Sequence, residues 1–430
     1  MFIKYYDTLG HKVRRLQGKQ RKVASAALTL VIIALLFGSV LSLLQTSLTI
    51  NFFGSMATGP VEADYIITGS GASASAVENG GQGRTTSGGT VSVINTVIGW
   101  MSADQVTKFL GTFAVSSTVT VRKNSIMLDF GTSPRAIVTS SGGSAFDCRG
   151  SNIVIKGGDF SGGNDVIVAG YGGGSLTIDG AILHDCGAEN LNFNNAAPNT
   201  LINCELYNAD MNLIIAGSAG GTRVANNIFH DFGSGWSRHA IYLDHSHNCI
   251  IENNIFYSPK GLCAAILLKS GGNFIHGNEF YDFDRNTYPI SMYTQYSGVS
   301  NNEICHNNFH DVYEAMIVGN DIDSNPSTHT LIHDNTFNNC ERALCLPLNS
   351  GSGSSYTDIE IYYNQFISCG TALYSSSASS SVFVDTQIAY NTFTPSITNP
   401  GIEGFTNTMV YGNTGLADFN VPAVKPIPPP

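Results

Sequence analysis

The sequence carries little charge, since Asp, Glu, Lys and Arg make up only 12% of its 430 residues. It contains no Cys-x-x-Cys pair, no Cys/His spacing typical of zinc sites and no Asn-x-Ser/Thr glycosylation sequon. It also lacks the Leu-x-x-Leu-x-Leu frame of leucine-rich repeats, and no apolar stripe of helical period runs through residues 155–415. These absences argue against a zinc-stabilised domain and against a leucine-rich or helical repeat. Low charge with abundant Gly, Ser and Asn is instead typical of an extracellular β-protein.

The net charge of −11 is unevenly distributed. Residues 1–22 contain seven Lys or Arg and one Asp, which leaves 14 basic and 31 acidic residues, a net of −17, in the rest of the chain. A body this acidic should repel nucleic acid and anionic membrane surfaces, so no nucleic-acid partner is expected. It also argues against a general polyanion binder unless a local basic spot or Ca²⁺ is present.

Residues 23–50 form an uncharged apolar run that is long enough to span a bilayer. The basic flank lies on its N-terminal side, which predicts a cytoplasmic segment 1–22 and an extracellular remainder. The alternative is a cleaved signal peptide, for which Gly38-Ser39-Val40 offers an exit site. Because the apolar run exceeds a usual signal-peptide core, we predict an uncleaved single-pass anchor in the cell membrane.

A repeat of about 25 residues organises the chain beyond this segment. Its mark is an Asn-x-Phe unit, and its anchor position recurs at intervals of 22 to 29 residues. The anchors are Phe160, Leu183, Leu206, Phe229, Phe256, Phe280, Phe309, Phe337, Phe366, Phe393 and Gly415. An aliphatic residue stands five positions before every one of these eleven anchors, from Ile155 to Val410.

The residues around the anchors are Ile, Val, Phe, Tyr, Thr and Asn with many Gly and Ser, which predicts short strands and turns. We expect the anchor and the aliphatic residue to fill the interior of stacked coils. The Asn between them is expected at the bend in a left-handed conformation, with its amide bonded to the Asn one rung above and below. Coils stacked in this way form a parallel β-helix.

On these repeats, 116–415 resembles the right-handed parallel β-helix (pectin-lyase-like) superfamily, in its prokaryotic or archaeal cell-surface form. The resemblance implies an all-β solenoid of eleven or twelve rungs. Residues 51–115 are predicted to form a transition and cap, with an amphipathic helix in 91–110 covering the open end of the solenoid. Residues 416–430 are Pro-rich and predict an extended tail.

A third strand is predicted after each anchor, with inward pairs that begin at Val166/Val168 and continue as Leu191/Phe193 and Ile241/Leu243. The residues between the inward ones should point outward, as Tyr242, Leu267, Ser291 and Ile317. Long loops border this strand face, as they do at many binding sites. The alternative is that a solenoid tolerates insertions anywhere.

The same strand face carries the densest group of titratable residues in the sequence, and it is the candidate catalytic cluster. Its members are Asp244, Lys269, Tyr293, His239, His245 and Arg238. Asp244 and Lys269 should stand one rung apart, close enough to pair. The superfamily resemblance implies lyase or epimerase roles: His239 or His245 as base, Lys269 or Arg238 on a uronate carboxylate, and Tyr293 as acid. The alternative is an exposed ion pair with solvated histidines.

Two further patterns suggest ligand sites. Aromatic residues directly after the anchors, together with Tyr242, could dock a sugar chain by stacking, and they are His230, Tyr257, Tyr281 and His310. The alternative is a purely structural ladder, because catalysis needs only one copy of a residue. Asp321 and Asp323 lie in an Asn/Asp-rich loop that could bind Ca²⁺, although such loops are more often solvated turns. No cofactor is required.

The nine cysteines are scattered, and Cys340 and Cys369 should lie on successive rungs. A disulfide between them is geometrically conceivable, but buried free thiols are the preferred interpretation. Taken together, the sequence predicts a membrane-anchored extracellular β-helix whose partner is a polysaccharide or an envelope glycan. We expect an adhesin or envelope scaffold, and the alternative is a polysaccharide lyase or uronate epimerase, before a glycoside hydrolase.

Overall fold

The computed structural model describes residues 62–81, 83–170, 172–194, 197–217, 219–233, 238–292, 299–318, 327–346, 355–375, 382–395 and 405–421. The predicted cytoplasmic segment 1–22 and the predicted anchor 23–50 lie outside these ranges. Within them, no helix is both long enough and apolar enough to cross a membrane.

The described chain begins with a small cap. Its elements are β1 (Tyr65–Gly71), β2 (Ser73–Glu78), β3 (Thr85–Gly89), α1 (Thr90–Trp100) and β4 (Val106–Val115). β1 to β3 form an antiparallel meander, and β4 lies parallel to β1. The amphipathic helix is present but shorter than expected, because Val106 and Leu110 belong to β4. Its apolar face packs against this sheet and the first strand of the solenoid.

The solenoid that follows has three series of strands. The first series comprises β6 (Ile126–Asp129), β9 (Ile153–Lys156), β12 (Leu176–Asp179), β15 (Thr200–Ile202), β18 (Arg223–Ala225), β21 (Ile250–Glu252), β24 (Phe274–His276), β27 (Glu303–Cys305), β30 (Ser327–His333), β33 (Ser355–Tyr362), β37 (Gln387–Ala389) and β40 (Thr408–Tyr411). The second series carries the anchors and comprises β7 (Ile137–Ser140), β10 (Asp159–Gly162), β13 (Ile182–His184), β16 (Glu205–Tyr207), β19 (Ile228–His230), β22 (Ile255–Tyr257), β25 (Glu279–Phe283), β28 (Asn308–Val312), β31 (Thr336–Asn338), β34 (Gln365–Ile367) and β38 (Thr392–Thr394).

In the part of the chain that the structure describes, the third series forms a sheet of 11 strands. These are β5 (Val119–Val121), β8 (Phe146–Cys148), β11 (Ile167–Ala169), β14 (Glu189–Phe193), β17 (Met211–Ala216), β20 (Ile241–Asp244), β23 (Ala264–Leu268), β26 (Tyr288–Met292), β29 (Glu314–Val318), β32 (Arg342–Leu346) and β35 (Thr371–Ser375). Three short strands lie outside the series: β36 (Val382–Val384), β39 (Phe405–Thr406) and β41 (Phe419–Val421).

Strands of one series pair in parallel with the same series one rung away, as β20 does with β17 and β23. The all-β parallel solenoid is therefore confirmed. Within the described ranges the third sheet extends to β35, whereas the first two series continue to β40 and β38, so the complete turns seen there are slightly fewer than the eleven or twelve predicted. Parallel pairing lets each rung satisfy its backbone groups on the next one.

The two predicted columns fill the core. From Phe229 to Phe393, consecutive anchor rings are parallel, with centroids 4.8 to 5.0 Å apart. The aliphatic column from Ile155 to Val410 is buried beside them. Stacked aromatic pairs contribute about 0.5–1.5 kcal/mol each beyond the burial of apolar area.

A buried ladder of asparagines accompanies the ring stack, as predicted. Each side-chain amide nitrogen donates to the side-chain carbonyl oxygen of the Asn one rung on, at 2.9 to 3.1 Å. The members of this ladder are Asn227, Asn254, Asn278, Asn307, Asn335, Asn364, Asn391 and Asn413. The predicted backbone role of these asparagines is wrong by one residue. The left-handed conformation belongs to the preceding position, as in Asn226 and Asn253, which frees the ladder side chains to point inward.

One inward pair is also displaced by one residue. In β11 the buried residues that continue the inward columns are Ile167 and Ala169, which pair with Leu191 and Phe193, whereas Val168 is half-buried on the other face. Val166 is buried too, so a run of apolar residues hid the alternation that fixes a strand's register. All nine cysteines are free thiols.

Candidate functional site

The third sheet brings several of the candidate catalytic residues together. Tyr242 lies on the outer face of β20, between two buried residues, and Asp244 ends that strand. Lys269 directly follows β23, and its backbone N–H donates to the carbonyl of Leu243 at 3.0 Å. This register places Lys269 beside Asp244, one rung apart, as the repeat predicts.

The side chain of Lys269 turns toward Tyr242. Its ammonium donates to the Tyr242 hydroxyl at 2.8 Å and lies 5.0 Å from the centroid of the ring. Burial lowers the pKa of Lys269, and the negative charge of Asp244 opposes that shift. The Asp244 carboxylate itself lies 2.8 Å from Nδ1 of His245, which is exposed and has a left-handed backbone. Within the described residues, Asp244 is paired with His245 and forms no direct ion pair with Lys269.

His239 is buried beside this pair. Its Nδ1 accepts the backbone N–H of Ala264 at 3.1 Å, so in the neutral ring the proton sits on Nε2. Burial lowers the pKa of His239 to about 3, with help from the positive charges of Lys269 and Arg238. Its ring centroid lies 5.8 Å from that of Tyr242. A neutral imidazole, a phenol and an ammonium group therefore meet in one small area.

Arg238 is engaged elsewhere, because its guanidinium forms an ion pair with Asp210 at 3.6 Å. Asp210 belongs to an acidic group that the sequence had not indicated, with Asp165 and Glu189 on neighbouring rungs. Burial raises the pKa of Glu189 to about 8, helped by a hydrogen bond to Asp165 and by its charge. Each of the three acids lies at the first residue of a strand of the third sheet or just before it. This shared position is the feature of the sequence from which the acidic group could have been predicted.

The exposure of the outer face of the third sheet decreases after Tyr242. Tyr242 is partly exposed, but the next residues in its column, Leu267, Ser291 and Ile317, are only 8%, 3% and 0% exposed. These three lie in the predicted outward column, but this part of the outer face is covered. Lys269 and Tyr242 lie at the border between the open and the covered parts of this face. Tyr293, the remaining candidate, is outside the described residues.

The aromatic residues after the anchors form a continuous column of stacked rings. His184, Tyr207, His230, Tyr257, Tyr281 and His310 follow one another with centroids 4.7 to 5.2 Å apart and interplanar angles of 12° or less. Each inner ring therefore covers the faces of its neighbours. A sugar can reach the ring edges and polar tips along this column, but not the ring faces on which stacking depends.

Each histidine of this column lies between two carboxylates. His230 has Nδ1 at 2.8 Å from Asp231 and Nε2 at 3.2 Å from Glu205, and His310 has the same arrangement with Asp311 and Glu279. Hydrogen bonding to His230 lowers the pKa of Asp231. The repetition of this arrangement from rung to rung favours a structural role for the column.

A group with metal-ligating chemistry lies on the first series of strands. Ligand atoms of Glu303, Cys305 and His333 all fall within 4.8 Å of one another, the one such group of three or more among the described residues. His333 is also held between two carboxylates, with Nδ1 at 2.8 Å from Asp334 and Nε2 at 3.0 Å from Glu303. The loop predicted to bind Ca²⁺ through Asp321 and Asp323 lies outside the described residues.

The chain resembles one known family in sequence. The profile of the family described as periplasmic copper-binding protein (NosD) matches residues 114–325, just under half of the chain. No curated protein matches the sequence.

Solved structures of polysaccharide-processing enzymes resemble the fold. A PL6 family polysaccharide lyase from Pseudopedobacter saltans is 13% identical, with a TM-score of 0.55 over 76% of this chain and 92% of that one. A mannuronic acid-specific family 6 lyase from human gut microbiota is 14% identical, with a TM-score of 0.53 over 78% and 89%. The A-module of the Azotobacter vinelandii mannuronan C-5 epimerase AlgE6 is 12% identical, with a TM-score of 0.51 over 78% and 94%. The stacked parallel rungs and these likenesses show that the chain has a parallel β-helix fold, which is consistent with the right-handed parallel β-helix superfamily.

Proposed function

We propose that this protein binds a polysaccharide outside the cytoplasm, on the outer face of the third sheet. The observation that carries the proposal is the contact of the Lys269 ammonium with the Tyr242 hydroxyl, at the border of the covered part of that face. The NosD family is described as periplasmic, and two solved lyases and an epimerase with this fold act on polysaccharides. The anchor 23–50 would hold the solenoid at the cell membrane as a surface adhesin or envelope scaffold.

The chemistry of these side chains suits a sugar chain. Lys269 supplies N–H donors, Tyr242 supplies a hydroxyl that donates or accepts, and Asp244 supplies acceptors. A uronate carboxylate would replace the phenol oxygen as the partner of the partly desolvated ammonium, which is a stronger hydrogen bond because both groups are charged. This local cation offsets the acidic body of the protein, which otherwise disfavours an anionic ligand.

Affinity electrophoresis of the protein in gels that contain neutral or uronate polysaccharides, with and without Ca²⁺, tests the proposal. The double variant Lys269→Ala/Tyr242→Phe should lose most of its retardation. Lys156→Ala removes a lysine from the first series of strands and serves as the matched control, which should behave as the parent. Equal binding by the double variant and the parent would remove this face from the proposal, and no retardation by any glycan would contradict polysaccharide binding itself.

A second candidate function is lyase or epimerase chemistry at the same place. It is favoured by the neutral His239 and by the cation that contacts the Tyr242 hydroxyl, because an ammonium group stabilises a phenolate that can take a proton from carbon. Incubation with uronate polymers, followed by absorbance of unsaturated products and by exchange of the C5 proton, separates this candidate from binding alone. Turnover that Tyr242→Phe abolishes while binding persists would establish the enzyme. Binding without turnover or exchange would leave the adhesin.

A further inference from the structure

We propose that Tyr363 and Tyr390 form a second glycan-binding site, one that takes uncharged sugar rings. The two residues lie on neighbouring rungs, at the turn between the first and the second series of strands. They are 52% and 49% exposed. Their rings are nearly parallel, with centroids 5.3 Å apart and an interplanar angle of 15°. The site is separate from Lys269 and Tyr242, which lie on the third sheet.

The backbone at this turn is unfavourable for tyrosine. The corresponding residue on every rung from Gly180 to Gly412 has a positive φ, and apart from the two tyrosines it is Gly, Asn, His or Asp. The column consists of Gly180, Asn203, Asn226, Asn253, Gly277, His306, Asp334, Tyr363, Tyr390 and Gly412. Such residues visit the left-handed region most readily, whereas a bulky side chain there is a genuine outlier. Tyr363 and Tyr390 nevertheless have φ of 56° and 57°.

The next residue in the column leaves room for the pair. A β-carbon at Gly412 would lie 2.7 Å from Cε1 of Tyr390, so a side chain at this position would displace the ring. An asparagine in place of either tyrosine would meet the needs of the turn, as it does on three earlier rungs. Residues held in strained conformations cluster at ligand sites. The strain and the space at Gly412 together indicate that the two rings serve a ligand rather than the turn.

The faces of the two rings are open to a ligand, unlike those of the long aromatic column after the anchors. Tyr362 and Tyr411 contact the pair edge-on, at interplanar angles of 83° to Tyr363 and 82° to Tyr390. Within the described ranges, no third ring lies parallel to the two. Each tyrosine therefore keeps one face that no other ring covers. The electron-rich face of an aromatic ring attracts the C–H groups of a sugar.

The charges around the pair favour a neutral sugar. The sequence contains no Lys, Arg or His from residue 343 to residue 424, so these rungs offer no cation to a uronate carboxylate. Glu360 and Gln387 pair in register on the neighbouring strands, and the Tyr411 hydroxyl donates to Oε1 of Gln387 at 3.2 Å. Carboxylate, amide and phenol groups all form hydrogen bonds with sugar hydroxyls. Open ring faces beside such groups fit a neutral pyranose.

The site depends on the proposed function for its class of ligand, a polysaccharide, and not for its place. Affinity electrophoresis of the full chain in gels that contain dextran, mannan or hydroxyethyl cellulose tests it, with polygalacturonate as the charged comparison. Tyr363→Asn/Tyr390→Asn should weaken binding to a neutral glycan by at least about tenfold, because two stacking contacts are lost. Tyr363→Phe/Tyr390→Phe keeps the ring faces and should restore most of the binding. His306→Asn, the same replacement elsewhere in the column, is the matched control and should behave as the parent.

Guanidinium unfolding of the same variants separates binding from a structural role. Since asparagine tolerates the left-handed turn, Tyr363→Asn/Tyr390→Asn should keep or raise the unfolding midpoint while it loses neutral glycans. A lower midpoint would show that the rings serve the fold and would overturn the site. Neutral-glycan binding that this variant retains, or a parent that only polygalacturonate retards, would also overturn it. A parent retarded by neutral glycans alone would contradict a uronate site at Lys269 and support this one.

Discussion

The asparagine ladder should stabilise the solenoid through satisfied hydrogen bonds, and Asn307 in its middle tests this best. Its carbonyl oxygen accepts from the backbone N–H and the side-chain amide of Asn278, and its own amide donates to Ile275 O and to Asn335, all at 3.0 Å. Asn307→Ala would leave two backbone groups and one amide hydrogen buried without partners. At about 1–3 kcal/mol per orphaned group, with some relief from a water in the new cavity, we expect a loss of about 3–6 kcal/mol.

The last asparagine of the ladder provides the control. Asn413 makes the same kinds of bonds to Asn391 and Ile388, but it is only half-buried. Water can replace its lost partners, so Asn413→Ala should cost about 1 kcal/mol. Guanidinium unfolding followed by circular dichroism compares the two variants with the parent, using the shift in midpoint at equal slope.

A third variant separates hydrogen bonding from backbone geometry. If the column existed to supply a left-handed residue, Asn307→Gly would be well tolerated, because glycine adopts that conformation freely. The left-handed residue is instead His306, the one before it. Asn307→Gly should therefore be at least as destabilising as Asn307→Ala. Rescue by glycine, or equal costs at Asn307 and Asn413, would refute the reasoning.

Three further predictions concern the core, the acidic group and the thiols. Phe280→Ala, which opens the buried ring stack, should cost about 3–5 kcal/mol in the same unfolding assay. Glu189 holds its proton more tightly in the folded protein, where its pKa is raised from 4.5 to about 8. The stability of the fold should therefore decrease as the pH rises from 4.5 to about 8, and Glu189→Gln should make Tm less dependent on pH. Cys340 and Cys369 lie one rung apart, about 4.8 Å between strands, so diamide should convert this pair to a disulfide, whereas an unchanged thiol titration would contradict their proximity.

The fold could be predicted because its information is repeated. The anchors and the aliphatic column each recur eleven times, so the loss of Asn from the early rungs did not hide the pattern. A single rung carries much less information. At β11 the run Val166, Ile167 and Val168 fits either face of a strand, and only its pairing with Leu191 decides the register.

The candidate site could be predicted only in part, because exposure depends on what covers a face. The position of Lys269 beside Asp244 follows from strand register, but the turn of its ammonium toward Tyr242 depends on side-chain packing. Similarly, Leu267 and Ile317 alternate as outward residues should, and yet both are buried. Alternation specifies the side of a strand, and not whether water reaches that side.

Within a solenoid, a residue repeated from rung to rung and a residue that breaks the repetition have different meanings. Repeated rings, amides and histidine–carboxylate pairs satisfy one another along the axis, so their number increases with length and their loss reduces stability. A binding or catalytic site needs its groups once. Lys269 is a half-buried cation on an otherwise apolar stretch of the third sheet. This position offers chemistry that its own column does not need for stacking, and for that reason the proposed binding site is placed there.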